Sequence, residues 1–145
     1  LIMSDFSCFL KQNAIPLENV KFVASKRFVD PKTKKPVEWE IKPIDTRMDE
    51  LIRKDCTKKV PVAGKRGQYT NELDTDKYLG RMCAECTVYP NLNLAELQDS
   101  YGVKDADSLL KAMLNSGEYT EYKAKVAEVN GYDVSMEELV EEAKN

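Results

Sequence analysis

The chain has 145 residues, of which 42% are hydrophobic and 32% charged, and its formal net charge is −3. This balance indicates a single soluble globular domain over residues 1–145 and excludes an intrinsically disordered chain, which combines low hydrophobicity with high net charge. No apolar run approaches the roughly 20 residues of a membrane helix, and no basic region followed by an apolar run marks a signal peptide, so we expect a cytoplasmic protein.

The small net charge hides a strong asymmetry along the chain. Residues 18–69 carry 14 Lys and Arg against 8 Asp and Glu, whereas residues 70–145 carry 7 against 16. Charges that segregate in this way predict a dipolar molecule, whose halves attract each other or steer different partners.

The first predicted element is a short helix over residues 5–13. Phe6, Phe9 and Leu10 recur there at helical spacing, and the segment ends near Asn13, shortly before a proline.

A β-hairpin follows at about residues 20–42. Its first arm is rich in β-branched and aromatic residues, and its second arm alternates, with Val37, Trp39 and Ile41 on one face. A polar turn joins the arms, so we expect one buried face with Trp39 as a core anchor.

The pattern changes to helical spacing from Thr46 to about residue 131. Five short helices are predicted, starting near Thr46, at 76–89, at a capping-box-like Asn93–Glu96 pair, at Asp105 and at Ser116. Their expected core residues are Leu51, Ile52, Cys56, Tyr78, Leu79, Met82, Cys83, Cys86, Leu94, Leu97, Tyr101, Leu109, Leu110, Met113, Leu114, Tyr119, Tyr122, Val126 and Val129.

A Ser135–Glu138 capping box opens a sixth, strongly acidic segment at about residues 135–145. We expect this helix or tail to add little to the core and to be mobile. The fold class predicted is therefore α+β, mostly helical, with an N-terminal β-hairpin followed by five or six short α-helices.

The stretch KKVPVAGKRGQYT (58–70) is the strongest candidate for a binding site. Its candidate residues are Lys58, Lys59, Lys65, Arg66 and Tyr69. It is not a phosphate-binding P-loop, because Arg66 stands where that motif has Ser or Thr and Lys59 stands where its first glycine belongs. Three interpretations stay open: a solvated loop that offsets the acidic half, a contact for a protein partner, or a nucleic-acid contact in which Tyr69 stacks on a base.

Catalytic and metal-binding motifs are absent from the sequence, which contains no histidine. Cys83 and Cys86 form a C-x-x-C, but the pair lies in the middle of a predicted helix on its apolar face, which favours buried free thiols over a zinc or redox site. We expect no enzyme activity, no cofactor and no metal.

Long blocks of the sequence resemble one family, that of the XkdN-like tail assembly chaperones of tailed phages and defective prophages. The blocks are ENVKFVASKRFVD (18–30), PVEWEIKPI (36–44), DCTKKVPVAGKRGQYTNELDTDKYL (55–79), ECTVYPNLNLAELQDSYGVKDADSLLKAML (85–114) and GEYTEYKAKVAEVNGYD (117–133). Together they cover roughly residues 5–133, nearly the whole chain.

The resemblance implies a non-enzymatic protein in the cytoplasm of a bacterial host. Such a protein binds the tape-measure protein, keeps it soluble while the tail tube assembles, and is absent from the mature tail. The tail tube protein is a second candidate partner, self-association is open, and neither a membrane nor a small-molecule substrate is implied. The loop at 58–70 then becomes a protein-recognition surface or a packed connector, and the alternative is a small nucleic-acid-binding module that uses its four cations and Tyr69.

The resemblance also suggests a second, longer product. Tail chaperones of this kind are often made in two lengths by programmed ribosomal frameshifting, and Ala143-Lys144-Asn145 can be encoded with a slippery A-AAA-AAC heptamer. We expect this chain to be the shorter form.

Overall fold

The computed structural model describes residues 5–132, so the acidic helix predicted at 135–145 lies outside the described residues. The fold is α+β. In chain order, its elements are a 3₁₀ turn at Asp5–Phe9, β1 (Val20–Phe22), β2 (Trp39–Ile41), α1 (Thr46–Asp55), β3 (Thr57–Pro61), β4 (Tyr69–Leu73), α2 (Thr75–Cys86), β5 (Thr87–Tyr89), α3 (Ala95–Ser100), α4 (Ala106–Met113) and α5 (Ser116–Val129).

The N-terminal hairpin is present as the pair β1 and β2, which run antiparallel with Val20 opposite Ile41. Strand β5 joins the free edge of β2 and completes a three-stranded sheet. The predicted helix over 76–89 is therefore too long, since α2 ends at Cys86 and Thr87 is already extended. The amide of Lys42 donates to the carbonyl of Cys86 at 2.8 Å, and this pairing with β2 replaces the last helical turn.

The core lies between this sheet and the helices. Trp39 is buried, as predicted, and its ring meets Tyr122 of α5 edge-on at 5.4 Å between centroids. Helix α2 is central, because it contacts α1, α4 and α5. Its predicted apolar stripe is confirmed, with these members buried: Tyr78, Leu79, Met82, Cys83 and Cys86.

The helix starts are set by side chains that satisfy free amides at the first turn. Asp105 caps α4, as expected, and α1, predicted to start near Thr46, is capped by the preceding residue, Asp45. Asn115 caps α5 in a capping box with Glu118, one residue before the predicted start. The predicted capping box of Asn93 and Glu96 is absent. The N-cap residue of α3 is Leu94, and no side chain caps this helix.

Several apolar side chains that recur at helical spacing are exposed. The helix expected over 5–13 is only a 3₁₀ turn, and Phe6 and Phe9 are 62% and 82% exposed, because one turn cannot bury a face without an element to pack against. Three residues expected in the core are exposed as well: Leu51 on the outer side of α1 and Leu94 just before α3 are more than half exposed, and Tyr101 just after α3 is 37% exposed.

Candidate partner-binding surface

The stretch at 58–70 is not a loop but most of a second hairpin. Strands β3 and β4 run antiparallel, from Thr57 opposite Leu73 at the base to Pro61 opposite Tyr69 near the tip. The amide of Val62 adds one more bond, to the carbonyl of Gln68 at 3.0 Å. The helical region predicted for 46–131 is thus interrupted by a β-hairpin, which we call the cationic hairpin (residues 57–73).

Two glycines shape the tip of the cationic hairpin. The amide of Lys65 bonds the carbonyl of Val62, and the amide of Gln68 bonds the carbonyl of Lys65, which makes two consecutive β-turns. Gly64 and Gly67 are the third residues of these turns, and their φ angles of 74° and 78° lie in the left-handed region. The turns therefore hold Lys65 and Arg66 at the far end of the hairpin.

The five candidate residues do not share one face. Opposite residues of an antiparallel pair lie on the same face, and the register places Lys59 with Tyr69 and Pro61. Lys58 lies on the other face, directly opposite Glu72, which offsets its charge. Tyr69 with Lys59 on one face, and Lys65 with Arg66 at the tip, are therefore the surfaces available for recognition.

Within residues 5–132, the cationic hairpin contacts the body at its base. None of residues 57–72 is buried. Asp74 donates its amide to the carbonyl of Cys56 at 2.8 Å, Leu73 packs against the core, and the hydroxyl of Thr57 donates to the carbonyl of Arg53. A two-stranded hairpin without a covering layer is marginally stable, so this shape suits a segment that becomes ordered against a partner.

A second exposed feature is the segment from Phe6 to Leu17, which we call the N-terminal apolar segment. Besides its two phenylalanines it presents Ile15 and Leu17, which are 94% and 79% exposed. Sequence reasoning missed this surface, because helical spacing of apolar residues is the usual sign of a buried face. Their exposure makes this segment a candidate interaction surface.

The most perturbed titratable groups lie inside the body and have structural roles. The hydroxyl of Tyr78 donates to Asp49, and Arg53 lies 4.6 Å above the Tyr78 ring. Burial, and then the bond to Asp49, raises the pKa of Tyr78 well above its usual range. This group joins α1 to α2.

The C-x-x-C pair consists of buried thiols, as predicted. Burial raises the pKa of the Cys83 thiol far above its ordinary value and that of Cys86 to about 11, so both are protonated at neutral pH. Within residues 5–132 there is no cluster of three or more His, Cys, Asp or Glu side chains suited to a metal ion. In the same part of the chain, no helix is long and apolar enough to cross a membrane.

Comparison with known proteins places this arrangement in a family. The model of the phage XkdN-like tail assembly chaperone proteins matches residues 6–144, so the chain belongs to this family, and the resemblance drawn from the sequence is confirmed. The family is one of assembly chaperones, not of enzymes.

Two relatives come from Bacillus subtilis (strain 168). The chain is 40% identical to the uncharacterized protein YqbN over 97% of its own length and 93% of that protein. It is 37% identical to the phage-like element PBSX protein XkdN, over 97% and 94% respectively. The crystal structure of YqbN has a TM-score of 0.76 with this fold at 31% identity, and the match covers 91% of this chain and 100% of that one.

Proposed function

We propose that this tail assembly chaperone binds the tape-measure protein in the bacterial cytoplasm, keeps it soluble until the tail tube encloses it, and is absent from the finished tail. The observation that supports this most is the pairing of two exposed elements on one compact body, the N-terminal apolar segment and the cationic hairpin. Neither contributes a fully buried side chain, and only Leu73 at the hairpin base packs against the core.

The physical demand on such a chaperone is to cover apolar surface reversibly. A long tape-measure protein with apolar stripes aggregates unless those stripes are shielded, and shielding by several small contacts is easier to reverse than one deep pocket. Phe6, Phe9, Ile15 and Leu17 offer apolar area that gains about 25 cal/mol per Å² when covered.

The cationic hairpin would orient the bound tape-measure protein through its charges. Lys59, Lys65 and Arg66 attract carboxylates that flank an apolar stripe, and Tyr69 adds a flat apolar side chain with a polar end. Contacts made by exposed charges are individually weak, which suits a chaperone that has to be displaced by tube subunits.

Co-expression with the tape-measure protein of the same prophage tests the proposal. We expect a soluble tape-measure protein that co-elutes with this chain in size-exclusion chromatography with light scattering. Phe9→Ser/Ile15→Ser and Lys65→Glu/Arg66→Glu should each release it into the insoluble fraction, whereas the matched charge change Lys32→Glu/Lys35→Glu, in the exposed turn between β1 and β2, should leave it soluble.

A tape-measure protein that stays insoluble with this chain, and also with a C-terminally extended product, would overturn the proposal. The extended product follows from the frameshifting hypothesis, which DNA without a slippery run at or near codon 144 would refute. If the chaperone function holds but Lys65→Glu/Arg66→Glu has no effect, the hairpin is not the recognition element. Retention of the tail tube protein in the same eluate would identify it as a second partner.

The alternative, a small nucleic-acid-binding module, rests on the cations of the same hairpin. It requires binding of short DNA or RNA that weakens steeply with salt. The Lys65→Glu/Arg66→Glu variant then loses nucleic-acid binding while the tape-measure protein stays unaffected.

A further inference from the structure

The first residues after α5 lie beside α1. After Val129 the chain turns at Gly131, and the amide of Tyr132 donates to the carbonyl of Ala127 at 3.0 Å. Tyr132 lines a small cavity together with Asp49 of α1 and Met82 of α2. Residue 133 and those after it therefore start from the side of α1.

The same side of α1 leads directly to the cationic hairpin. Asp49 binds Arg53 at 3.0 Å, one helical turn further along, and the carbonyl of Arg53 accepts the hydroxyl of Thr57 at 2.7 Å. Thr57 is the first residue of β3. Asp49, beside the origin of residues 133–145, is thus separated from the base of the hairpin by two successive turns of chain.

Residues 133–145 and the cationic hairpin have opposite charges. The segment, DVSMEELVEEAKN, has five carboxylates against Lys144, whereas the hairpin has four cations against Glu72. Residues 70–132 carry a similar surplus, 11 Asp and Glu against 6 Lys and Arg, but it is spread over 63 residues, whereas the segment concentrates its carboxylates within 13. The segment also contains Met136, Leu139 and Val140, and one hairpin face presents Pro61 and Tyr69.

The length of the segment is sufficient for contact. Thirteen residues span about 43 Å when extended and about 20 Å when helical. A five-residue strand of the hairpin is about 17 Å long. Asp49 lies about 12 Å of helix before Thr57, so an extended segment is long enough to reach the tip, whereas a helical one reaches only the part of the hairpin near its base.

We propose that residues 133–145 dock on the cationic hairpin of the same chain and compete with acidic partners for it. The attachment at Tyr132 keeps the segment at an effective concentration of about 1 mM near the hairpin. An incoming acidic stretch must displace it, so the segment lowers the affinity of the hairpin for weak partners. This contact does not depend on the identity of the partner, so its test needs no tape-measure protein.

Limited trypsin digestion of the full chain measures access to the hairpin tip. For a segment affinity of about 0.1 mM, docking at an effective concentration of about 1 mM should slow cleavage after Lys65 and Arg66 about tenfold. In Glu137→Gln/Glu138→Gln/Glu141→Gln/Glu142→Gln this protection should be lost. It should also be lost in the unmodified chain at about 0.5 M NaCl, where the Debye length falls to about 4 Å.

A matched variant separates this effect from net charge. Glu85→Gln/Glu96→Gln/Asp99→Asn/Glu121→Gln changes the net charge equally on exposed positions of the helices and should keep the protection. Carbodiimide coupling of the unmodified chain at low micromolar concentration provides a second measurement that needs no variant. It should join Lys59 or Lys65 to the segment carboxylates within a monomer.

Equal cleavage rates for all three proteins at low salt would overturn the proposal. Cross-links found only between two chains would also overturn it, in favour of a second copy as the occupant of the hairpin.

Discussion

The backbone amide of Ile44 donates a hydrogen bond to the side-chain oxygen of Asn130 at 3.0 Å. The same side chain donates to the carbonyl of Val126 at 2.8 Å and lies 3.5 Å from the sulfur of Cys86. One amide group thus joins the end of α5 to the end of α2 and to the residue that leads into α1. It also fixes the place at which the chain leaves α5.

Replacement of Asn130 by alanine should destabilise the whole fold. The partly buried amide of Ile44 would lose its acceptor, which costs about 1–2 kcal/mol. Urea unfolding followed by circular dichroism measures the change. Asn93→Ala, at an exposed position in the connection before α3, should stay within about 0.5 kcal/mol of the unmodified protein, and an equal loss in both variants would contradict this role of Asn130.

Replacement of Gly64 or Gly67 by alanine should loosen the cationic hairpin without unfolding the body. No atom lies within 4 Å of a Cβ at either position, so the cost is that of a left-handed φ, about 1 kcal/mol. Hydrogen exchange of the Val62 and Gln68 amides should quicken about fivefold, while the urea midpoint stays the same.

The control for these turns is Gly117→Ala. Gly117 lies in α5, and a Cβ there meets only Asn115 at an ordinary 3.7 Å. This change should raise global stability by up to about 1 kcal/mol and leave exchange in the hairpin unaltered. Faster exchange of Val62 in this variant would refute the assignment of the effect to backbone strain.

The folding stability of the protein should decrease in acid, because Glu118 becomes protonated. Hydrogen bonds from the Ser25 hydroxyl and the Asn115 amide, with the Arg27 guanidinium nearby, hold the pKa of Glu118 below its ordinary value of 4.5. A carboxyl group with a depressed folded-state pKa adds stability that is present above pH 4.5 and is lost as the pH falls through the folded value.

The measurement is the urea midpoint of Glu118→Gln as a function of pH. This variant should be less stable than the unmodified protein at neutral pH, and the difference should shrink as the pH falls below 4.5. Glu121→Gln, an exposed position on the same helix, should follow the unmodified protein throughout. A constant difference between Glu118→Gln and the unmodified protein down to low pH would exclude this linkage.

The four cysteines should react with a thiol reagent in two phases. Cys8 is exposed, whereas Cys56, Cys83 and Cys86 are buried, and burial raises the pKa of each of these three thiols. One thiol should therefore react with dithionitrobenzoate at least about 100-fold faster than the others, which need local opening. Cys8→Ser should abolish the fast phase, and a fast phase that persists in Cys8→Ser would show that a second thiol is accessible.

Sequence patterns predicted the elements that bury one face. The alternation around Trp39 and Ile41 predicted β2, and the stripe on α2 predicted its buried members, because the period of apolar residues is a local property of a helix or strand. The pattern did not indicate β5, whose three residues become a strand only because β2 lies beside them. It also missed the cationic hairpin, because neither face of that hairpin is buried and no apolar alternation marks its strands.

The candidate site was found as a stretch of residues but not as a surface. The sequence places Lys58 and Lys59 side by side, whereas the β3–β4 register sends them to opposite faces and brings Lys59 beside Tyr69 and Pro61. That register depends on the two glycine turns at the tip, and cations and glycines in a row are equally typical of an irregular loop.

The sequence by itself determined the family, the charge asymmetry and most of the core. The tertiary structure alone decided that Phe6, Phe9 and Leu51 are exposed although their spacing matches that of buried residues. The reason is that spacing fixes which side chains share a face, whereas burial requires another element to cover that face. Such elements come from distant parts of the chain, as Tyr122 does for Trp39, and for the N-terminal apolar segment none does among residues 5–132.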